Sequence, residues 1–181
     1  MEETNKWKSA AFNGLLLSLI TVIISLITSA FEIKSTILSI LFWIIRITVS
    51  IWLLYYFMKQ YSSNFKQISY KDSFIYGTLV CMFSAIICSG FSFINMTLLF
   101  PDTINQMGEI MQSSIEQNNM SDEQGDVIMG MLPKLPQITL IVGFIYLTIF
   151  GMIASSIIAN YTKKDDPFLD DTIQESENSE N

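Results

Sequence analysis

Apolar residues along this chain gather into four runs, 10–31, 35–58, 73–100 and 138–159, which together hold a single charged residue, Arg46. A helix crosses a hydrocarbon core of roughly 30 Å with ~20 apolar residues, so each run is long enough to span a bilayer. Lipid supplies no hydrogen-bond partners, and a span must therefore be helical and satisfy its own backbone. Amphipathic helices of a soluble protein would place charges on one face every turn or two, and these runs do not. Thr28-Ser29-Ala30 resembles a signal-peptide cleavage point, but the apolar stretch before it exceeds the roughly 7–15 residues of such a segment, so an uncleaved span is expected. The pattern predicts an all-α, integral membrane four-helix bundle in one domain, 1–162, followed by an acidic tail, 163–181, too polar to order itself.

The connections are uneven. Residues 32–34 allow only a tight helical hairpin, with Ser35 or Thr36 capping the second span. The long connection, 101–136, carries Ile104, Met107, Met111 and Ile115 at helical spacing, which predicts a short amphipathic helix broken at Asn118-Asn119. Ser121-Asp122-Glu123-Gln124 has the form of a capping box opening a second short helix, and Pro133 and Pro136 are expected to end it before the fourth span. This loop holds six acids against one lysine, which suits it poorly to anionic lipid. Its stripe is expected to cap the mouth of the bundle or to dock a partner, either a second copy or an envelope protein.

Charge then orients the chain. If all four runs cross, the N-terminus, the 59–72 loop and the tail share a side bearing Lys6, Lys8, Lys59, Lys66, Lys71, Lys163 and Lys164. The other side has only Lys34 and Lys134. The positive-inside rule puts both termini in the cytoplasm. Tyr55, Tyr56, Tyr61, Tyr70, Tyr161 and Trp7 lie at the same ends of their spans, as an interfacial aromatic belt does. Arg46 does not disqualify its run: an arginine at a helix centre costs ~2.5–3.5 kcal/mol on the insertion scale, against about 0.3–0.6 returned by each Leu, Ile, Phe or Val. Thirteen of those residues share the run.

Small and hydroxyl residues recur at helical steps: Gly14, Ser18, Thr21, Ser25 and Thr28 in the first span; Gly77, Cys81, Ser84, Cys88, Ser92 and Asn95 in the third; Gly151, Ser155 and Ala159 in the fourth. Such stripes let helix backbones approach closely in lipid, and they would also serve a polar pathway. Arg46 falls on the stripe of the second span with Thr36, Ser39, Trp43 and Ser50, and is expected to face inward, level with Thr21, Ser84, Cys88 and Thr148. No Asp or Glu lies in any run, and arginine cannot shed its proton. Two readings stay open: a contact with a lipid phosphate, a small anion or a partner's acid through Arg46, Ser39, Ser50 and Ser84, or a structural arginine satisfied by hydroxyls, carbonyls and water.

Chemistry is otherwise sparse. The chain has no histidine, which removes the commonest general base and metal ligand. Cys81 and Cys88, seven apart on one helix, cannot pair with each other and read as packing residues. Asp122, Glu123 and Asp126 lack the glycine and distal glutamate of a calcium loop. No cofactor, catalytic residue, metal site or nucleic-acid partner is expected, and an enzyme is the least favoured class.

Trp7-Lys8-Ser9-Ala10, Asn13-Gly14-Leu15, the Ile68-to-Phe74 segment running into Gly77, Pro101-Asp102 and the glycine-and-serine fourth span ending in two lysines resemble the bacterial membrane family called domain of unknown function 4199. The resemblance covers all but the acidic tail. It implies four spans and the bacterial inner membrane, with no assigned activity; Arg46 has no place in the family's pattern, so no role is carried over to it. Two function classes are left: a structural or interaction component of that membrane, and a small transporter or lipid- or anion-binding protein built on Arg46 and the hydroxyl stripes.

Overall fold

The computed structural model describes residues 2–30, 36–118 and 120–164. Four of its helices are long and apolar enough to cross a membrane. They are α1 (Glu2–Ala30), α2 (Thr36–Ser63), α3 (Tyr70–Ile94) and α6 (Leu135–Thr162), with α4 (Asp102–Gln117) and α5 (Asp122–Gly130) between the last two. The 32–34 hairpin, Ser35, Asn119 and the tail from 165 lie outside the described residues.

The long helices overshoot their apolar runs. Helix α1 starts at Glu2 and α2 continues to Ser63, because lysine, glutamine and glutamate are good helix formers and nothing in these flanks breaks the backbone ladder. Helix α3 starts where Ser69 caps it: the Ser69 hydroxyl oxygen accepts from the Asp72 amide at 3.1 Å. Its far end passes into a π turn, Asn95–Leu99, which the apolar pattern did not signal. The capping box of α5 is present, with Gln124 N donating to Ser121 Oγ and Ser121 N donating to Gln124 Oε1. Pro136 departs from expectation. Helix α5 closes at Gly130, a 3-10 turn covers Leu132–Lys134, and Pro136 sits buried in the first turn of α6. A proline there opens a helix, since its missing N–H is one that the first turn leaves unpaired anyway.

Helix α3 is central, packing most heavily on α6 and next on α1; α2 touches its neighbours more lightly. The close contacts fall where small residues meet. A Cβ at Gly14 would lie 2.7 Å from both Phe83 Cβ and the Val80 carbonyl oxygen, and one at Gly151 would run into Cys81 Cβ. Several buried hydroxyls bond within their own helices, as where Ser18 donates to the Leu15 carbonyl and Ser89 to that of Ala85, each at 2.7 Å. Thr78 Oγ1 is the exception, buried without a partner among the described residues.

The apolar core lies in one half of the molecule, among Ala10 and Leu17, Leu54, Phe57 and Met58, Tyr76 and Val80, and Ile158 and Ala159. This half holds the start of α1 and α3 and the end of α2 and α6, and is called here the termini end. At the opposite, loop end, Leu38, Ile40, Leu41, Trp43, Ile44 and Ile45 of α2 are all exposed. Helices α4 and α5 pack on each other and on the adjoining turns, with Leu132 against Gly108 and Ile115 against Gly125.

Candidate functional site

Two polar places stand out, and they differ in kind. The first is a closed network at the termini end. Tyr76 is fully buried; its hydroxyl receives Asn13 Nδ2 at 2.7 Å and shares a hydrogen bond with Ser9 Oγ at 3.0 Å. Its ring stacks on Tyr61, centroids 3.7 Å apart and 5° from parallel. Tyr61 is thus half-buried and turned inward at its end of α2, while Trp7, Tyr56, Tyr70 and Tyr161 are exposed. Thr162 ties three helices: Ser62 Oγ donates to its carbonyl at 2.6 Å, and Ser73 Oγ shares a hydrogen bond with its hydroxyl at 2.6 Å. Ile68 and Lys164 pair as an isolated antiparallel bridge. Lys164 Nζ donates to the Phe65 carbonyl at 3.0 Å, and Lys6 meets Asp72 at 3.5 Å. Each polar group in this network already has a partner, which makes it a clamp and leaves nothing for a ligand.

The second place is open. Just beyond the core, where α2 stands off from α6, lies a cavity of about 300 Å³ lined by all four long helices. Arg46 and Ser50 reach it from α2, Ser84 and Cys88 from α3, and Thr21 from α1. Of the four residues singled out by the sequence, the structure brings together Arg46, Ser50 and Ser84; the side chain of Ser39 lies outside the described residues. Thr148, expected at the same depth, is not part of the lining and donates to the Phe144 carbonyl at 2.8 Å. Trp43, on the same stripe as Arg46, lines the cavity and is also half exposed.

Arg46 is half-buried. Among the described residues no carboxylate, hydroxyl or carbonyl oxygen is bonded to its guanidinium, and Cys88 lines the same cavity. Thr21 and Ser92 donate to the Leu17 and Cys88 carbonyls at 3.1 and 3.0 Å, so those donors are engaged already. Ser84 Oγ and Cys88 Sγ face each other at 3.9 Å. Five guanidinium N–H donors and a permanent positive charge thus open onto a space that is otherwise largely apolar. Among the described residues no three His, Cys, Asp or Glu side chains come together to hold a metal. Such a wall can pair with an anion and sort it from a neutral molecule.

The α6 side of this cavity, Gly143, Tyr146, Leu147, Phe150, Gly151 and Ala154, was not anticipated from the sequence. Tyr146 carried a signal, since it is a tyrosine in the middle of a span, away from the interfacial belt where tyrosines normally gather. Its ring stacks on Phe150 with centroids 6.4 Å apart. Gly143 carried none, because a glycine off the small-residue stripe looks the same whether it faces lipid or a cavity.

Compared with known proteins, the chain matches the family described as protein of unknown function (DUF4199) over residues 8–164. No curated protein and no solved structure matches it.

Proposed function

The chain belongs to that family, and from this premise we propose that it is a multi-pass protein of the bacterial inner membrane, both termini cytoplasmic, whose bundle binds an anionic ligand at Arg46. The orientation is supported by the lysine bias, Lys6, Lys8, Lys59, Lys66, Lys71, Lys163 and Lys164 all belonging to the termini end. The observation that carries the binding reading is the unpaired guanidinium opening onto a 300 Å³ cavity. A charge inside a membrane bundle is costly, and such residues characteristically mark a ligand or ion site. No reaction is assigned to the protein: its work is binding, with Ser50 and Ser84 as neutral hydrogen-bonding partners for whatever Arg46 holds.

Cysteines placed singly at Ser50 and Ser84, with Cys81 and Cys88 replaced by alanine, test this reading. Amphiphilic thiol reagents of matched chain length, which partition into the bilayer, should label both positions in membranes, those with a negative head faster than those with a positive one. Arg46→Gln should remove that preference and Arg46→Lys should keep it. Silence at both positions, or equal rates for the two reagents, would refute the reading.

A second reading, an interaction component of the membrane, draws on a different observation. Ile110 on α4, Val127 on α5 and Met131 just after it are exposed at the loop end, where a second copy or an envelope protein could cover them. Crosslinking from cysteines at these positions in intact cells tests it, with loss of crosslinks on Ile110→Ser as the supporting result.

A further inference from the structure

We propose that the occupant of this cavity is a single-chain anionic amphiphile, an oxyanion head on one apolar chain, which slips in sideways from the bilayer between the loop-end halves of α2 and α6. The proposal rests on the anion-site reading above and adds the class of ligand and its route.

Three observations converge. The first is the division of the wall. Its hydrogen-bonding groups, Tyr146 apart, gather around Arg46 on α1, α2 and α3, while the rest of the α6 wall together with Ile47, Ile51 and Leu54 of α2 is apolar. A small inorganic anion would leave that apolar half unused, and an uncharged lipid would leave Arg46 unpaired. A molecule with one charged end and one apolar body satisfies both. The second is the opening. Among the described residues, Ser62 of α2 donates to the Thr162 carbonyl of α6 toward the termini end, where Met58 and Ser155 also both lie against Gly77. Toward the loop end the cavity's edges are Trp43 and Tyr146, which are 59% and 60% exposed. In a bilayer that exposure is to acyl chains, so the opening faces lipid rather than water. The third is size. At about 300 Å³ the cavity is at the small end of the ~300–1,000 Å³ range of ligand sites, which suits a slender occupant.

Trp43 supplies the readout. With Trp7→Phe and Trp52→Phe in place, it becomes the sole tryptophan, and the protein can be placed in bilayers of a zwitterionic, unbrominated lipid. A chain-brominated fatty acid and the matching brominated monoacyl phosphate should quench Trp43 saturably. Each should do so at about tenfold lower concentration than the brominated alcohol of the same chain, as a charge-assisted hydrogen bond predicts. Whichever head binds tighter identifies the source. Arg46→Gln should abolish the advantage over the alcohol, and Arg46→Lys should retain part of it. Gly143, whose missing Cβ has only Ser89 Cβ near it, at 3.9 Å, offers a second handle: Gly143→Leu should weaken acid and alcohol together by filling the space.

Equal quenching by acid and alcohol, unchanged in Arg46→Gln, would overturn both this proposal and the anion site. Displacement of the brominated acid by acetate or inorganic phosphate at matching concentrations would overturn the amphiphile while leaving the anion site standing. An acid advantage of the same size with lipid-facing Trp52 as the sole tryptophan would mean adsorption to the bilayer, and would overturn the proposal too.

Discussion

The packing of α3 on α6 predicts that one methyl group at Gly151 weakens the whole bundle. A Cβ added there would run into Cys81 Cβ and lie 2.8 Å from Cys81 Sγ, with Cys81 Cα 3.7 Å away. A Cβ is fixed to its backbone, so no rotamer change relieves the clash; the two helices must separate. Overpacking of this kind costs about 1–3 kcal/mol, offset by at most ~1 kcal/mol from the better helix propensity of alanine. The net loss of about 1–2 kcal/mol corresponds to a fall in Tm of roughly 2–8 °C for a chain of this length. Thermal unfolding in mild detergent with a thiol-activated fluorophore measures it directly, because Cys81 and Cys88 are only 8% and 6% exposed and report when the interface opens. Gly90→Ala is the control: nothing lies within 4 Å of the added atom, and Tm should not fall. Gly77→Ala should fall between the two, since its close neighbours, Met58 Sδ at 2.6 Å and Ser155 Oγ at 2.7 Å, are ends of side chains that can move. A Gly151→Ala protein melting at or above wild type would refute close α3–α6 packing.

The clamp at the termini end yields three more predictions by the same melting assay. Tyr76→Phe removes the acceptor of Asn13 Nδ2 and the partner of Ser9, leaving polar groups unpaired next to the core at about 1–3 kcal/mol; Asn13→Ala in the same background should recover part of that. Thr162→Val takes the hydroxyl from Ser73, which is 1% exposed, and should cost a similar ~1–3 kcal/mol, whereas Ser63→Ala, at an exposed site bonded within its own helix, should be silent. Ser69→Ala deletes the cap of α3 and should cost ~1 kcal/mol, more than Lys6→Ala, which breaks an ion pair open to solvent at Asp72 and worth ~1 kcal/mol or less. An equal or reversed order for that last pair would show that the Lys6–Asp72 contact, and not the cap, sets the start of α3.

The sequence made the spans legible because charge is expensive in lipid: runs this long with one charge among the four leave no competing account. The capping box at Ser121 was legible because it is local, a matter of residues three apart. Arg46, Ser50 and Ser84 could be grouped because helical steps place them on inward stripes at one depth. What could not be read is how far α2 stands from its neighbours, and with it the α6 wall of the cavity. A residue's place on a helix face follows from its own sequence; the distance to the next helix depends on what that helix presents in return. The role of Pro136 failed for a related reason, since the same residue ends one helix or opens the next according to where the chain turns.

That distance nevertheless has a cause in composition. Helix α2 contains neither glycine nor alanine, and carries Trp43 and Trp52, whereas α1, α3 and α6 each bring glycine to a neighbour. In lipid, close approach of backbones is what holds helices together. Helix α2 lacks the residues for it, and is instead seated by Leu54, Phe57, Met58 and Ser62 at its end. Four residues N-terminal to that seat comes Ser50 and four before it Arg46, at the point where the packing gives out. A bundle that needed α2 only as a fourth wall would gain from small residues along this stretch and lose from a charge in it. Bulky side chains and an unpaired arginine together keep a space open and give it a sign, a pairing that serves a ligand better than it serves stability.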